Sequence, residues 1–272
     1  MTNSLRIAIA LLVVVTHVGC DDDAGLDEQV DETQTAPPQK QVEEAEVDDS
    51  FAAPDLVTHG QLRSINLDND TTPVIELSEA LEPLEGGAHG VGALGKLSGE
   101  ITVWDDTVYL GHAADEPTFD AVAIDEVDDA LDATIFFGTR AHNWRPVDDF
   151  QPGDLEHLQK QLANWRKESG IDEALSFRIT DPAATATWHV VDGERIPDEG
   201  AQNCEERKEY AHQFYSDDEP VRIVGLFTTD HTGVVVDHTT SIHAHLITDD
   251  AKSGHVDELD LSDEATLKVA IK

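Results

Sequence analysis

The segment Ser241-Ile242-His243-Ala244-His245-Leu246-Ile247-Thr248 constrains the fold more than any other part of the chain. His243 and His245 are two apart. On a strand, side chains alternate, so both rings point to one face; on a helix they would point nearly opposite ways. A polar turn follows, Thr248 to Gly254, and then His255. A hairpin centred near Asp250 sets His255 opposite His245, and directly opposed residues of an antiparallel pair have Cβ atoms about 5 Å apart. Three imidazoles are therefore expected to converge on one point. Three protein ligands with one position left open is the arrangement of a catalytic zinc site rather than a closed structural one. Two exposed histidines on a polar strand face would show the same His-X-His spacing, and the chain has 13 histidines. The third histidine across the turn strengthens the case for a metal site, and from spacing alone both readings stay open.

The chain of 272 residues carries 57 acidic against 17 basic residues, a formal net charge of −40. Such an excess argues against nucleic acid and against anionic membrane surfaces as partners. It keeps a chain soluble but strains the compact state by self-repulsion, and salt relieves that strain by shortening the Debye length to roughly 3 Å at 1 M. Adaptation to a saline medium and ordinary acidity in an exported protein both fit. The length allows one large domain or two small ones, and a hydrophobic content of 39% suffices for a packed core.

The N-terminus reads as a targeting segment. Arg6 precedes the apolar run Ile7 to Val15, which is too short to span a bilayer comfortably. The run leads to Val18-Gly19-Cys20 and then Asp21-Asp22-Asp23. A small residue before a lone cysteine at the end of an apolar run resembles the lipobox of bacterial lipoproteins, with His17 where that motif usually has Leu. Cys20 is then the acylated N-terminus of an exported protein, held to the membrane through its lipid alone and facing periplasm or exterior. Only Cys204 remains, which leaves no intrachain disulfide. From Asp21 to about Pro54 the sequence is acidic and poor in large apolar residues, as expected of a disordered, extended tether. The expected organisation is signal peptide 1–20, tether 21–54 and one domain over 55–272.

Within that domain, Val74 to Leu77 leads into a helix. The glycine-rich stretch Gly86 to Gly92 lacks the strand-then-helix context of a dinucleotide loop. Ile101 to Trp104 reads as a strand turning at Asp105-Asp106 into Thr107 to Leu110. Further strands are expected at Ala121–Val127, Ala133–Gly138, Ala174–Ile179, Ala186–Val191, Val221–Phe227, Ser241–Thr248 and Leu267–Ile271. The clearest helix runs from about Asp154 to Glu168, with Leu155, Leu158, Leu162 and Trp165 at helical spacing, Asp154 as N-cap and Gly170 past the end. A weaker helix is expected from Glu205 to Tyr215. Many strands, few helices and no βαβ alternation predict an α+β fold with mixed β-sheets.

The ordered motifs resemble the α-acetolactate decarboxylase family. Leu97-Ser98-Gly99-Glu100 with the following hairpin is similar to that family's Leu-Asp-Gly-Glu segment. Leu175-Ser176-Phe177-Arg178-Ile179 is similar to its Ala-Ile-Arg-Ile strand, and Ile223-Val224-Gly225-Leu226-Phe227 to its Val-Gly-Phe strand. Ile242-His243-Ala244-His245-Leu246 and Gly254-His255-Val256 resemble its His-Leu-His-Phe and Gly-Gly-His-Val motifs. The order of these motifs, from about Leu56 onward, carries the resemblance.

The resemblance implies that His243, His245 and His255 bind Zn2+ or a similar divalent ion, that Glu100 stands at the metal, and that Arg178 faces the substrate. It implies two similar sheet-rich halves with the metal near their junction. The implied reaction converts α-acetolactate, or a close anionic 2-hydroxy-3-oxo acid, to acetoin and CO2, the metal acting as Lewis acid on charge that develops as CO2 leaves. Three departures stand out. The His245-to-His255 spacing is one residue shorter than usual. Ala93 takes a position where the family commonly has Thr. The family's further C-terminal segment, with another active-site Glu, is expected to be missing after Lys272, so turnover is expected to be slow. A non-catalytic metal- or ligand-binding exported domain of the same fold is the alternative, followed by a structural or metal-scavenging surface lipoprotein. The sequence is compatible with a homodimer and does not fix the oligomeric state.

Overall fold

A computed structural model describes residues 52–197, Gly200 and residues 204–272. The signal-type segment, Cys20 and the tether as far as Phe51 lie outside the described residues. Packing begins just inside the expected tether: Ala53 is buried, and the Ala52 carbonyl accepts the Lys272 N–H at 2.8 Å.

The first half of the domain builds one antiparallel sheet from β1 (Leu56–His59), β2 (Ile75–Glu76), β3 (Ala88–Leu94), β4 (Gly99–Trp104), β5 (Thr107–His112), β6 (Thr118–Ala123) and β7 (Asp132–Arg140). The order is β1-β7-β3-β4-β5-β6, with β2 also on β7. The glycine-rich stretch thus becomes β3, a buried central strand. Its glycines admit the neighbouring backbone: a Cβ at Gly92 would collide with the Ile135 carbonyl of β7. On β4 the alternation is chemically divided. Ile101 and Val103 join a core beneath α2 (Leu77–Leu81), the helix after α1 (Leu62–Asp68), while Glu100, Thr102 and Trp104 face the second sheet.

The second sheet comprises β8 (Asn143–Pro146), β9 (Leu175–Val190), β10 (His212–Phe227), β11 (Ile242–Thr248), β12 (Ser253–Asp260) and β13 (Thr266–Ile271). β10 pairs with β9 along its length and also with β11; β11 pairs with β12, and β12 returns to β9. These four strands close on themselves. Their inner side chains, among them Phe177, Ile179, Trp188, Ile223, Leu246 and Val256, form one core. Helix α3 (Leu155–Ser169) buries Leu158 and Leu162 in it. Its ends follow the sequence signals: Asp154 accepts the His157 N–H at 2.8 Å, and Gly170 is left-handed. The α+β class is as expected, and every pairing among the described strands is antiparallel.

The two strands expected at Ala174–Ile179 and Ala186–Val191 are the two ends of β9, which continues through Pro182. The ladder with β10 is irregular there: Val221 pairs with Asp181 and Glu219 with Ala184, so β9 carries one extra residue. The extra residue inverts the alternation. Inward residues are Leu175, Phe177 and Ile179 before it, and Ala184, Ala186, Trp188 and Val190 after it. The helix expected from Glu205 to Tyr215 ends at Tyr210 (α4, Cys204–Tyr210), because the chain from His212 pairs with β9 instead.

The closure depends on close approach at Gly254, where a Cβ would meet the His189 carbonyl oxygen and the Trp188 ring. The carbonyl cannot rotate away from its ladder. Gly254→Ala is expected to lower stability by about 1–3 kcal/mol, the usual cost of overpacking, as read by urea unfolding. An unchanged midpoint would show that β9 and β12 part freely.

Candidate metal centre

β11 sends Ala244 and Leu246 inward to the closed core, so His243 and His245 face the first sheet. His255 lies directly across from His245 on β12, and His189 directly across from His255 on β9. Three opposed histidines therefore cross three strands in one row, with His243 beside them. The ring centroids of His243, His245 and His255 form a triangle of sides 5.3, 5.2 and 5.6 Å. Imidazoles bound at about 2.1 Å to one tetrahedral zinc have centroids about 5 Å apart, a spacing the triangle matches, while the set of three whose ligand atoms already lie within 4.8 Å of one another among the described residues is His189, His255 and Asp257.

The hydrogen bonds also fit. Nδ1 of His243 donates to the Val235 carbonyl at 2.9 Å, which leaves the lone pair of the neutral ring on Nε2. His245 pairs its Nδ1 with the Thr102 hydroxyl at 3.0 Å, and its buried Nε2 has no hydrogen-bond partner. Nδ1 of His255 is likewise buried without one. Buried polar atoms are normally satisfied, and unpartnered imidazole nitrogens are what an ion would complete. Burial holds His243 down to about 4, against the partial help of the Val235 bond. Burial likewise holds His245 and His255 well below the usual imidazole value, with neighbouring imidazoles adding to it. The rings are thus neutral near pH 7, the form that binds a metal.

Glu100 reaches in from the first sheet. One oxygen is 3.7 Å from Nε2 of His245; the other is 3.9 Å from Nε2 of His189 and accepts the Val191 N–H at 3.2 Å. Burial raises its pKa well above the carboxylate range, the Val191 bond opposes this, and the charge of Asp257 adds to it. Asp257 accepts from Nδ1 of His189 at 2.7 Å and lies 3.4 Å from the Lys208 ammonium. Its burial raises its pKa, but the His189 bond, the neighbouring imidazoles and Lys208 outweigh that and leave it below normal. A cavity of about 320 Å³ opens beside these groups. Leu62, Ile65, Ala93, Leu97 and Ile135 give it an apolar wall, and Arg207 and Lys208 of α4 are the Lys and Arg side chains among its described lining.

A family model described as alpha-acetolactate decarboxylase matches residues 74–272. The chain belongs to the alpha-acetolactate decarboxylase family. Solved structures of similar fold include the alpha-acetolactate decarboxylase of Bacillus subtilis strain 168, at TM-score 0.60 and 20% identity over 80% of this chain and 85% of that one. A Staphylococcus aureus protein described as similar to alpha-acetolactate decarboxylase aligns at TM-score 0.57 and 17% identity, over 80% and 85%. At these identities the likeness is one of fold. No curated protein matches the sequence.

Of the residues singled out in the sequence, the structure brings His243, His245, His255 and Glu100 together. It does not bring Arg178 to them. Arg178 pairs with Asp105 at 3.3 Å and lies over the Trp144 ring at 4.4 Å and the Trp104 ring at 5.4 Å. There it lines a separate small pocket with Thr180, Thr266 and Lys268, not the histidine cavity. Two indole faces and a carboxylate satisfy a guanidinium well, so nothing draws it inward. The sequence reading missed His189, Asp257, Arg207 and Lys208. Asp257 had a local signal, since His255-Val256-Asp257 puts two ligand-type residues at strand spacing. His189 had none, because its facing depends on the irregularity in β9.

The purified protein is expected to hold about one divalent ion per chain, lost in His245→Ala. Elemental analysis of both proteins checks this; equal metal content would remove the three-histidine site.

Proposed function

We propose that this protein is a metal-dependent decarboxylase acting on α-acetolactate or a close 2-hydroxy-3-oxo acid, giving acetoin and CO2. The observation that carries the reading is the histidine triangle beside Glu100 and a cavity, in a chain of the alpha-acetolactate decarboxylase family. Zn2+ or a similar ion, held by His243, His245 and His255, supplies a Lewis acid for the negative charge that develops as CO2 departs. The chain's own groups do the rest. Arg207 and Lys208 attract the substrate carboxylate to the cavity, in the role first expected of Arg178. The apolar wall takes the methyl groups and excludes water. Glu100, on the cavity wall beside His245, is the group placed to pass a proton from water to the carbon that CO2 leaves.

Metal-loaded protein is expected to release CO2 from α-acetolactate. His243→Ala abolishes release, and Glu100→Gln lowers it by about 10²–10⁴-fold, the range for losing a positioned proton-transfer group. Arg178→Ala changes it only a few-fold. Metal-loaded protein with no CO2 release above background, in low and in high salt, refutes catalysis and leaves a metal-binding domain.

We further propose that the protein is exported and anchored through lipid on Cys20. Support comes from the apolar run, Gly19-Cys20 and the acidic stretch after it. Mass spectrometry of membrane-extracted protein is expected to show a diacylated or triacylated N-terminal Cys20. A mature chain with an unmodified N-terminus elsewhere overturns the anchor.

A further inference from the structure

We propose that the pocket beside Lys268 and Arg178 is a second ligand site, for inorganic phosphate or a phosphate monoester. The pocket, of about 130 Å³, is lined by Trp104, Asp105, Arg178, Thr180, Thr266 and Lys268. Two rows of cross-strand neighbours make it. Lys268 of β13 lies directly opposite Arg178 of β9, and Thr266 directly opposite Thr180. Phe177, Ile179, Leu267 and Val269 turn into the closed core, so these four polar residues share the face toward the first sheet. Trp104 and Asp105, at the end of β4, cover the pocket from that sheet.

Like charges directly opposite one another on paired strands repel. A carboxylate between them would relieve the repulsion, and the chain has 57 acidic residues from which to supply one. Asp105 is the one carboxylate of the pocket lining, and Nη1 of Arg178 holds it, at 3.3 and 3.5 Å from its two oxygens. Lys268 has no ion pair or hydrogen bond among the described residues. Arg222 of β10, opposite Thr180 on its other side, adds a third positive charge; it lies over the Trp104 and Tyr109 rings, 5.8 and 5.2 Å from their centroids. Three cations against one carboxylate leave two positive charges uncompensated, in a chain whose net charge is −40. A dianion balances them.

The donors left over match a tetrahedral oxyanion. Nε and Nη2 of Arg178 make no hydrogen bond among the described residues. Lys268 brings an ammonium. The Thr180 and Thr266 hydroxyls, 2.8 Å apart, share one hydrogen, which leaves the other free to donate. A planar fork, a point charge and a hydroxyl from two strands suit four oxygens around phosphorus better than the single plane of a carboxylate. The volume is about that of four waters at roughly 30 Å³ each, enough for one such anion. The site is separate from the histidine cavity. No residue lines both, and the row from Lys268 through Arg178 and Val224 to His245 spans three strand spacings, about 14 Å. The inference therefore stands apart from the metal centre and from decarboxylation.

Calorimetric titration of full-length protein with sodium phosphate, with glycerol phosphate and with acetate, at an ionic strength held constant with NaCl, tests the site. One phosphate or phosphate monoester per chain is expected, with Kd about 1 mM or tighter, and the tighter of the two identifies the source. Lys268→Gln is expected to raise Kd about tenfold, the contribution of one charge-assisted hydrogen bond. Asp105→Asn removes the competing carboxylate and is expected to lower Kd; Asp105 has φ 47°, a backbone that Asn adopts readily. Lys160→Gln removes the same charge from the exposed face of α3 and is expected to leave Kd unchanged. No saturation by either phosphate, acetate binding as tightly as phosphate, or equal shifts in Lys268→Gln and Lys160→Gln overturns the proposal. Should Lys268→Gln not fold, Asp105→Asn decides: tighter phosphate binding supports the site and unchanged or weaker binding overturns it.

Discussion

Everything at the site depends on β12 being paired on both edges, with β11 on one side and β9 on the other. Either pairing alone would leave two opposed histidines on a two-stranded ribbon. Both together align His245, His255 and His189 across three strands and close the four-strand ring. The core inside that ring, from Phe177 and Trp188 to Leu246 and Val256, fixes the register. A slip of one residue would turn every inward side chain outward, so the hydrophobic core and the metal site specify the same alignment. The site is thereby built on strands rather than on loops, and its rings are held by packing on the opposite face of each strand.

The same geometry sets an energetic conflict. Four histidines, Glu100 and Asp257 gather in a region largely screened from water. Buried polar groups without partners are costly, and the site leaves Nε2 of His245, Nδ1 of His255 and one oxygen of Asp257 without hydrogen bonds. The metal-free protein therefore carries a local destabilisation that an ion would remove by satisfying these atoms and favouring an ionised Glu100. Binding free energy at such a centre is partly folding free energy. The Thr102 and Val235 contacts, which fix two of the rings from outside, limit how far the empty site can relax.

Much of this was legible locally. The His-X-His spacing, the polar turn and His255 gave the β11–β12 hairpin with His245 opposite His255, because strand alternation and turn length are properties of a short segment. The helix from Leu155 was marked by its caps and apolar spacing. Glu100 came from the family resemblance, and β4 alternation explains its facing. His189 and Arg178 show where local reasoning ends. Both lie on β9, eleven residues apart, and strict alternation would put them on opposite faces. The extra residue near Pro182 changes the phase, so both face the first sheet, from opposite ends of the strand. Arg178 meets Asp105 and two tryptophans; His189 meets His255 and Asp257. An irregularity forced by pairing with β10 leaves no mark in the β9 sequence beyond a proline.

The charge of the chain bears on how an anion would reach such a cavity. A net charge of −40 repels an anionic substrate over distances longer than the Debye length, about 30 Å at 0.01 M salt and about 8 Å at physiological ionic strength. Close to the cavity the balance is different. Arg207 is buried and hydrogen-bonded to the Ile65 carbonyl at 2.7 Å, and Lys208 lies against Asp257, so α4 holds two cations at the cavity wall. Their fields act over a few ångströms through a partly desolvated medium, where salt screens little. Salt therefore weakens the long-range repulsion far more than the short-range attraction. A protein with this distribution captures an anion better as ionic strength rises, and that holds whether the acidic surface serves a saline habitat or only export.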